Sequence, residues 1–298
     1  MKTFPDGANY RIEVSGIETP KILEAVIDEA KKQKIPIHRA IATVNGSMYW
    51  TDEQLEKLAQ IAAENKVEVI ICPWKLAGLV FENHNKILTD LRLTDEETNE
   101  YLSEMNRCAK IGFRGFLVWD KDLLELLDRK IRRPSDIIFK LSTFANSLNR
   151  LNFVSAVWKG ANTINTANGL SLEKLAKIRS AVPERVKLDI HITFWQLALE
   201  KNKKGGLELV AKPYDRIKDA PELARICSPC YFKFEAGNPG IGVYDLSGPN
   251  WTENDLAEHK RKDVRTAAKV VRTIKKKYPD IVLSDWGPED LRIPKMGG

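Results

Sequence analysis

The stretch "FKFEAGN" (232–238) places Lys233 and Glu235 between Phe232 and Phe234. On an extended strand, alternate side chains point to opposite faces. One face is therefore aromatic and the other carries two opposite charges. The pattern recurs: Arg11 and Glu13 flank Ile12, Lys140 and Ser142 flank Leu141, and Asp189 and His191 flank Ile190. Buried charge is costly unless it is paired or bound. Strands of this kind must converge on a shared polar interior, and His38 and Asn165 are expected to join it. In such a cluster His191 or Glu13 has the chemistry of a general acid or base. Lys140 and Lys233 could stabilise developing negative charge. One of them could instead form a Schiff base if the other cation depresses its pKa. Asp189 and Glu235 would orient these groups. Glu13, Asp189, His191 and Glu235 are also the donor types that hold a divalent metal.

The elements that must position these residues alternate along the chain. Strand-like runs at 10–16, 35–44, 67–74, 113–120, 136–143, 161–166, 186–194 and 229–238 are each followed by a helical run. Thr51 with Gln54, and Thr94 with Glu97, read as capping boxes at helix starts. No Gly-x-Gly-x-x-Gly turn follows a strand, which counts against a dinucleotide fold. Eight such units predict one domain over 1–298, a single (β/α)8 TIM-like barrel. A long basic helix over 252–277 closes it, and the charged segment 193–218, with "KNKKGG", reads as a lid loop. In a barrel the polar inner faces meet on one axis, with the chemistry at the C-terminal strand ends. Trp50, Trp74, Trp119 and Trp195 fall at or just beyond such ends, where they could stack on a ring or pack a lid.

Composition narrows the partner. The chain has 298 residues and a formal net charge of +6. Its basic residues are interleaved with acids, as in "EHKRKDVRTAAKVVRTIKKK", which reads as a solvated helix face. Nucleic acid is therefore not the expected partner. No apolar run is long enough to span a membrane, and "MKTFPDGANY" lacks a signal-peptide core, so a cytoplasmic protein without a membrane partner is expected. "CSPC" (227–230) has no second ligand pair to complete a zinc site. Cys72 and Cys108 read as small apolar residues.

The segments "GFRGFLVWDKDLLELL", "KLSTFANSLNRLNFVSAVWKGANTINTANGLSLEKLAKIRSAVPERVKLDIHI" and "YFKFEAG" resemble the collagenase-like peptidases, family 32 of the peptidases of unknown catalytic type. The similarity runs over roughly 110–240, and "FPDGANYRIEV" looks like a divergent bacterial subgroup. The resemblance implies a TIM-like barrel and a hydrolase. It implies site positions at Asp120, at Ser142 to Asn146, at His191 and at Lys233 to Gly237. Arg11, Trp119, Asn165 and Trp195 complete the expected substrate-binding set. Asn168-Gly169 stand where that family has Arg-Glu. The cysteines with which some members hold an iron–sulfur cluster are missing, so no such cluster is expected.

Three functions stay open at this point. One is a hydrolase of that family acting on a small-molecule or short polar substrate. Another is a metal-dependent or Schiff-base lyase, isomerase or epimerase for a sugar-like or keto acid substrate. The third is a barrel that has lost its catalysis and only binds a ligand.

Overall fold

The computed structural model describes residues 2–44, 46–73, 94–119, 121–130, 136–145, 150–201, 207–235 and 252–296; the side chains of 128–130, 144, 195–201 and 207–213 fall outside that description. Helix starts follow the chain's own caps. Thr51 and Gln54 form a capping box at α2 (Asp52–Glu64). Thr94 and Glu97 do the same at α3 (Asp95–Ile111), and Thr252 with Asp255 at α8 (Glu253–Lys277). Thr19 caps α1 (Pro20–Gln33), and Ser171 caps α6 (Leu172–Ala181). These side chains satisfy backbone N–H groups that have no partner inside the helix. The remaining helices are α4 (Lys121–Lys130), α5 (Arg150–Trp158) and α7 (Ala220–Cys227).

Eight parallel strands close on themselves. They are β1 (Tyr10–Ile17), β2 (Arg39–Ala42), β3 (Glu68–Ile71), β4 (Gly115–Val118), β5 (Ile138–Leu141), β6 (Thr163–Asn165), β7 (Lys187–Lys201) and β9 (Cys230–Glu235). Each pairs with the next, β7 pairs with β9, and β9 with β1. With one helix after each strand, this is the (β/α)8 barrel that the alternation predicts. Outward residues make the apolar layer under the helices: Ile12, Val14, Phe232 and Phe234 are fully buried, as are Val26 of α1 and Val264 and Ala267 of α8. Gly115 permits the approach of β4 to β3, since a Cβ there would lie 2.4 Å from Ile70 Cδ1.

Two regions depart from the sequence reading. Of the segment 193–218 expected as a lid loop, residues 193–201 and 207–215 are strand. β7 runs past the barrel to Lys201 and pairs antiparallel with β8 (Leu207–Asp215), Thr193 lying opposite Asp215 and Lys201 opposite Leu207. The charged "KNKKGG" obscures alternating residues on either side that suit a two-stranded ribbon. Residues 278–296, after α8, line the N-terminal end of the barrel. Leu283 bridges to Tyr10, Val282 N–H donates to Asn9 Oδ1 at 2.8 Å, and Arg292 N–H donates to Glu68 Oε2 at 2.8 Å. Among the described residues, no helix is long and apolar enough to cross a membrane.

Candidate active site

Strand register and alternation sort the inward side chains into layers along the axis, as barrels of this kind are filled. Moving toward the C-terminal ends, Arg39, Gly115, Thr163 and Tyr231 make one layer. Glu13, Ile70, Lys140 and Asp189 make the next. Ile41, Leu117, Asn165 and Lys233 follow, then Ser15, Ser142 and His191, with Glu235 above them.

The two lower layers form a closed ionic network. Lys140 donates to Glu13 Oε1 at 3.0 Å, to Glu13 Oε2 at 2.9 Å and to Asp189 Oδ2 at 2.6 Å. Arg39 reaches Glu13 at 3.3 Å and Asp189 at 3.2 Å, and its Nε donates to Glu68. The Thr163 hydroxyl donates to Asp189, and the Arg39 guanidinium lies over the Tyr231 ring at 3.6 Å. Glu13, Lys140 and Asp189 are fully buried. Burial pushes the Lys140 pKa down, and Arg39 and Lys233 add to that against the pull of Asp189 and Glu13. For Asp189, burial works toward neutrality but is outweighed by Lys140 and Arg39, so its carboxyl stays below the usual range. The network supplies its own counter-charges, which makes the low-dielectric position tolerable.

The upper group is assembled differently. Lys233 Nζ lies 2.5 Å from Glu235 Oε2, and the same oxygen lies 3.3 Å from His191 Nε2. Neighbouring strands position the three, since His191 pairs with Lys233 in register and Glu235 lies one turn of the alternation higher on β9. The His191 ring packs against Phe194 with centroids 4.8 Å apart. Burial, joined by the charge of Lys233, lowers the His191 pKa to about 4. The imidazole is therefore neutral near pH 7. Burial would raise the Glu235 pKa, but Lys233 and the hydrogen bond from His191 hold it down to about 2. An ionised Glu235 accepts the Nε2–H, which leaves the lone pair on Nδ1. That Nδ1 is buried and has no hydrogen-bond partner among the described residues, as is also true of Ser15 Oγ and Asn165 Oδ1.

Of the residues expected to meet, Glu13, Lys140 and Asp189 come together in the middle of the barrel, and His191, Lys233 and Glu235 come together above them. Two others do not join them. His38 precedes β2 and lies off the inward face. Its Nδ1 accepts from Ile12 N–H at 3.0 Å, and its Nε2 faces the carbonyls of Ser284 at 3.2 Å and Asp285 at 3.1 Å. Arg11 faces inward but at the opposite end, where it pairs with Asp290 at 2.6 Å and Asp6 at 3.2 Å under the Phe4 ring. Trp119 is buried edge-on against Tyr101 of α3 at 5.4 Å, its Nε1 without a partner among the described residues. Ser142 lies at the end of β5, its N–H donating to Val118 O. Asp120 and Asn146 lie outside the described residues, as does the side chain of Trp195, whose backbone pairs with Pro213.

The proposed metal ligands are not gathered into one centre. Among the described residues, no group of three or more His, Cys, Asp and Glu is arranged to hold a metal ion. The reason lies in the charges: the Lys140 ammonium sits where a cation between Glu13 and Asp189 would sit, and Lys233 occupies the same role at Glu235. Reading from sequence missed Arg39, Glu68, Thr163 and Tyr231. All four face inward at the first or second residue of their strands, and strict alternation through Arg39 instead of His38 would have found the first.

No protein-family model matches this chain, and no curated protein matches it in sequence. Solved structures do match in shape. One is a protein provisionally assigned as a fructose-1,6-biphosphate aldolase from Coccidioides immitis, with a TM-score of 0.52 at 14% identity over 92% of this chain and 91% of that one. Another is a U32 peptidase, with a TM-score of 0.52 at 13% identity over 80% of this chain and 98% of that one. At such identities the likeness is one of fold, and that fold is the single (β/α)8 barrel.

Proposed function

We propose that this barrel is an enzyme that uses His191 as a general base on a small carbonyl compound bound at the C-terminal end. The observation that carries the reading is the pair of ring nitrogens of His191. Nε2 is held by Glu235, and Nδ1 is buried with no partner. A carboxylate that fixes one tautomer leaves the other nitrogen as a base of defined direction. In the step inferred, a C–H bond next to the carbonyl breaks and its proton passes to Nδ1. The electron pair moves into the carbonyl to give an enolate, which the charge of Lys233 stabilises. Return of the proton from Nδ1 to the neighbouring carbon on the same face gives an isomer, and its return to the original carbon after exchange with solvent gives α-exchange. Among the described residues no hydroxyl or thiol is hydrogen-bonded to His191, so an acyl-enzyme nucleophile has no support there.

A second reading is hydrolysis, with the same Nδ1 activating water. It is favoured by the family-32-like segments and by the similarity in fold to a U32 peptidase. The depth of His191, 2% exposed, would restrict either reaction to small or short substrates. The test is solvent exchange. The full chain is incubated in deuterium oxide with a panel of 2-hydroxy and 2-oxo acids, and proton NMR follows the α-position. Deuterium incorporation that disappears in His191→Ala supports the reading. An absence of exchange across the panel, with oxygen-18 from water entering short peptides instead, would move the assignment to hydrolysis. Absence of both would leave a binding barrel.

A further inference from the structure

The inner wall above the ionic network is not polar all round. By register, the upper layers carry Ser142 at the end of β5, Asn165 on β6, His191 on β7, Lys233 and Glu235 on β9, and Ser15 on β1. These are five consecutive strands of the closed barrel. On the other side, β2 and β4 send Ile41 and Leu117 into the layer of Asn165 and Lys233, just below His191 and Ser15. Three atoms on the polar arc, Ser15 Oγ, Asn165 Oδ1 and His191 Nδ1, are buried and have no partner among the described residues. Their residues are 1%, 1% and 2% exposed. A buried polar atom left without a hydrogen bond costs free energy. Three in the two upper layers, on β6, β7 and β1 of one arc, mark the wall that a ligand satisfies.

We infer that the ligand of this barrel is a small 2-hydroxy acid with a compact apolar substituent, seated with its polar edge on the β6–β7–β9–β1 arc and its apolar face on Ile41 and Leu117. The chemistry of each position selects one part of it. Lys233 takes a carboxylate oxygen, and Ser15 can donate to the same group. Asn165 Oδ1 accepts, so the ligand brings a hydroxyl. The carbon between them carries the hydrogen that faces His191. A ligand polar on every side would leave hydroxyls unpaired against Ile41 and Leu117, and a ligand without the hydroxyl would leave Asn165 unsatisfied. This inference rests on the base reading of His191 for the position of the reacting carbon, but not for the two-sided wall.

The test uses a matched ladder of 2-hydroxy acids on the full chain: lactate, 2-hydroxy-4-methylpentanoate and gluconate, with affinities from calorimetry and α-proton exchange followed by NMR. The branched acid is expected to bind about tenfold or more tighter than lactate, as one or a few buried methylenes allow, and gluconate weakest. Asn165→Ala should weaken the branched acid about tenfold. Ile41→Thr, a modest change that keeps β-branching, should narrow the gap between branched acid and lactate. Leu117→Met, which keeps the apolar wall, should leave the order unchanged, with circular dichroism confirming that each variant folds. Preference for the branched acid without exchange would support the two-sided wall and overturn the base reading. Exchange without that preference would overturn the wall and leave the base standing. Tightest binding of gluconate, or binding of none of the three, would overturn this inference.

Discussion

In the middle of the barrel, Lys140 donates to three carboxylate oxygens and Arg39 reaches three acids. A layer or two higher, His191, Asn165 and Ser15 each keep a buried polar atom without a partner among the described residues. The two levels use similar residue types. One is closed on itself and the other is open to something else. Desolvated charge is tolerable when its counter-charges are built in, so the middle level reads as scaffold. Unmatched polar atoms are tolerable when binding completes them, which is why the proposed site is the upper level. Charge is paired at both levels; what sets the upper one apart is its neutral polar atoms without partners among the described residues.

The sharpest break in that contrast should come from Lys140→Met. It leaves Glu13 and Asp189 buried with one cation fewer, and a cost of about 3–5 kcal/mol is expected from urea unfolding. If Lys140→Met unfolds at the same urea concentration as the parent chain, the middle level is not scaffold. The next effect belongs to the upper level. His191→Ala should lower kcat/KM by about 10²–10⁴ for any substrate found, with a change in unfolding free energy far smaller than that of Lys140→Met. Asn165→Ala should likewise cost little stability, because no hydrogen bond to its Oδ1 is lost. Between these lies Gly115→Ala, whose new methyl would press on Ile70; a loss of about 1–3 kcal/mol is expected from overpacking, readable in the same unfolding curves.

Titration provides a smaller and more graded test. The His191 pKa is lowered to about 4 and that of His38 to about 3, in both cases by burial first. Each unfolded histidine binds its proton near pH 6.5, where the folded one does not. Their contribution to stability is therefore full above pH 6.5 and is lost as the pH falls from there toward the folded values. The slope is about 1.4 kcal/mol per pH unit for each histidine. Glu235, held at about 2, adds its own loss only as the pH falls below about 4.5. Unfolding followed from pH 7 to pH 5 should show the histidine slope, and a flat profile would contradict the burial of two neutral imidazoles. In the rate profile, the acid limb should fall near pH 4, and Lys233→Met should move it upward by removing a neighbouring positive charge.

Much of this was legible in the chain because alternation is a local signal. "FKFEAG" alone separates an aromatic face from a charged one, and the outward Phe232 and Phe234 are fully buried under the helices. Height along the barrel axis is not local. Arg11 and Glu13 share a strand face, yet Arg11 belongs to the N-terminal end, where Asp290 from a segment nearly the whole chain away meets it. No residue near Arg11 announces that. Parity also fails where a strand is short: β2 begins at Arg39, so His38 falls before it, and the fully buried histidine bonds backbone instead of facing the interior. The β7–β8 ribbon was hidden by the charged and glycine-rich composition of "KNKKGG", which outweighed the alternation in the residues beside it. The metal set looked complete as a list of donors, but two lysines occupy the positions a cation would take, and only the third dimension shows that.

The most direct test of the account is nitrogen-15 NMR of the His191 ring across pH 3.5 to 8, assigned by loss of its signals in His191→Gln. The expected result is a neutral Nε2–H tautomer through pH 6, with Nδ1 at the shift of an unprotonated nitrogen and protonation only near pH 4. A ring carrying its proton on Nδ1, or an imidazolium persisting at pH 6.5, would contradict it.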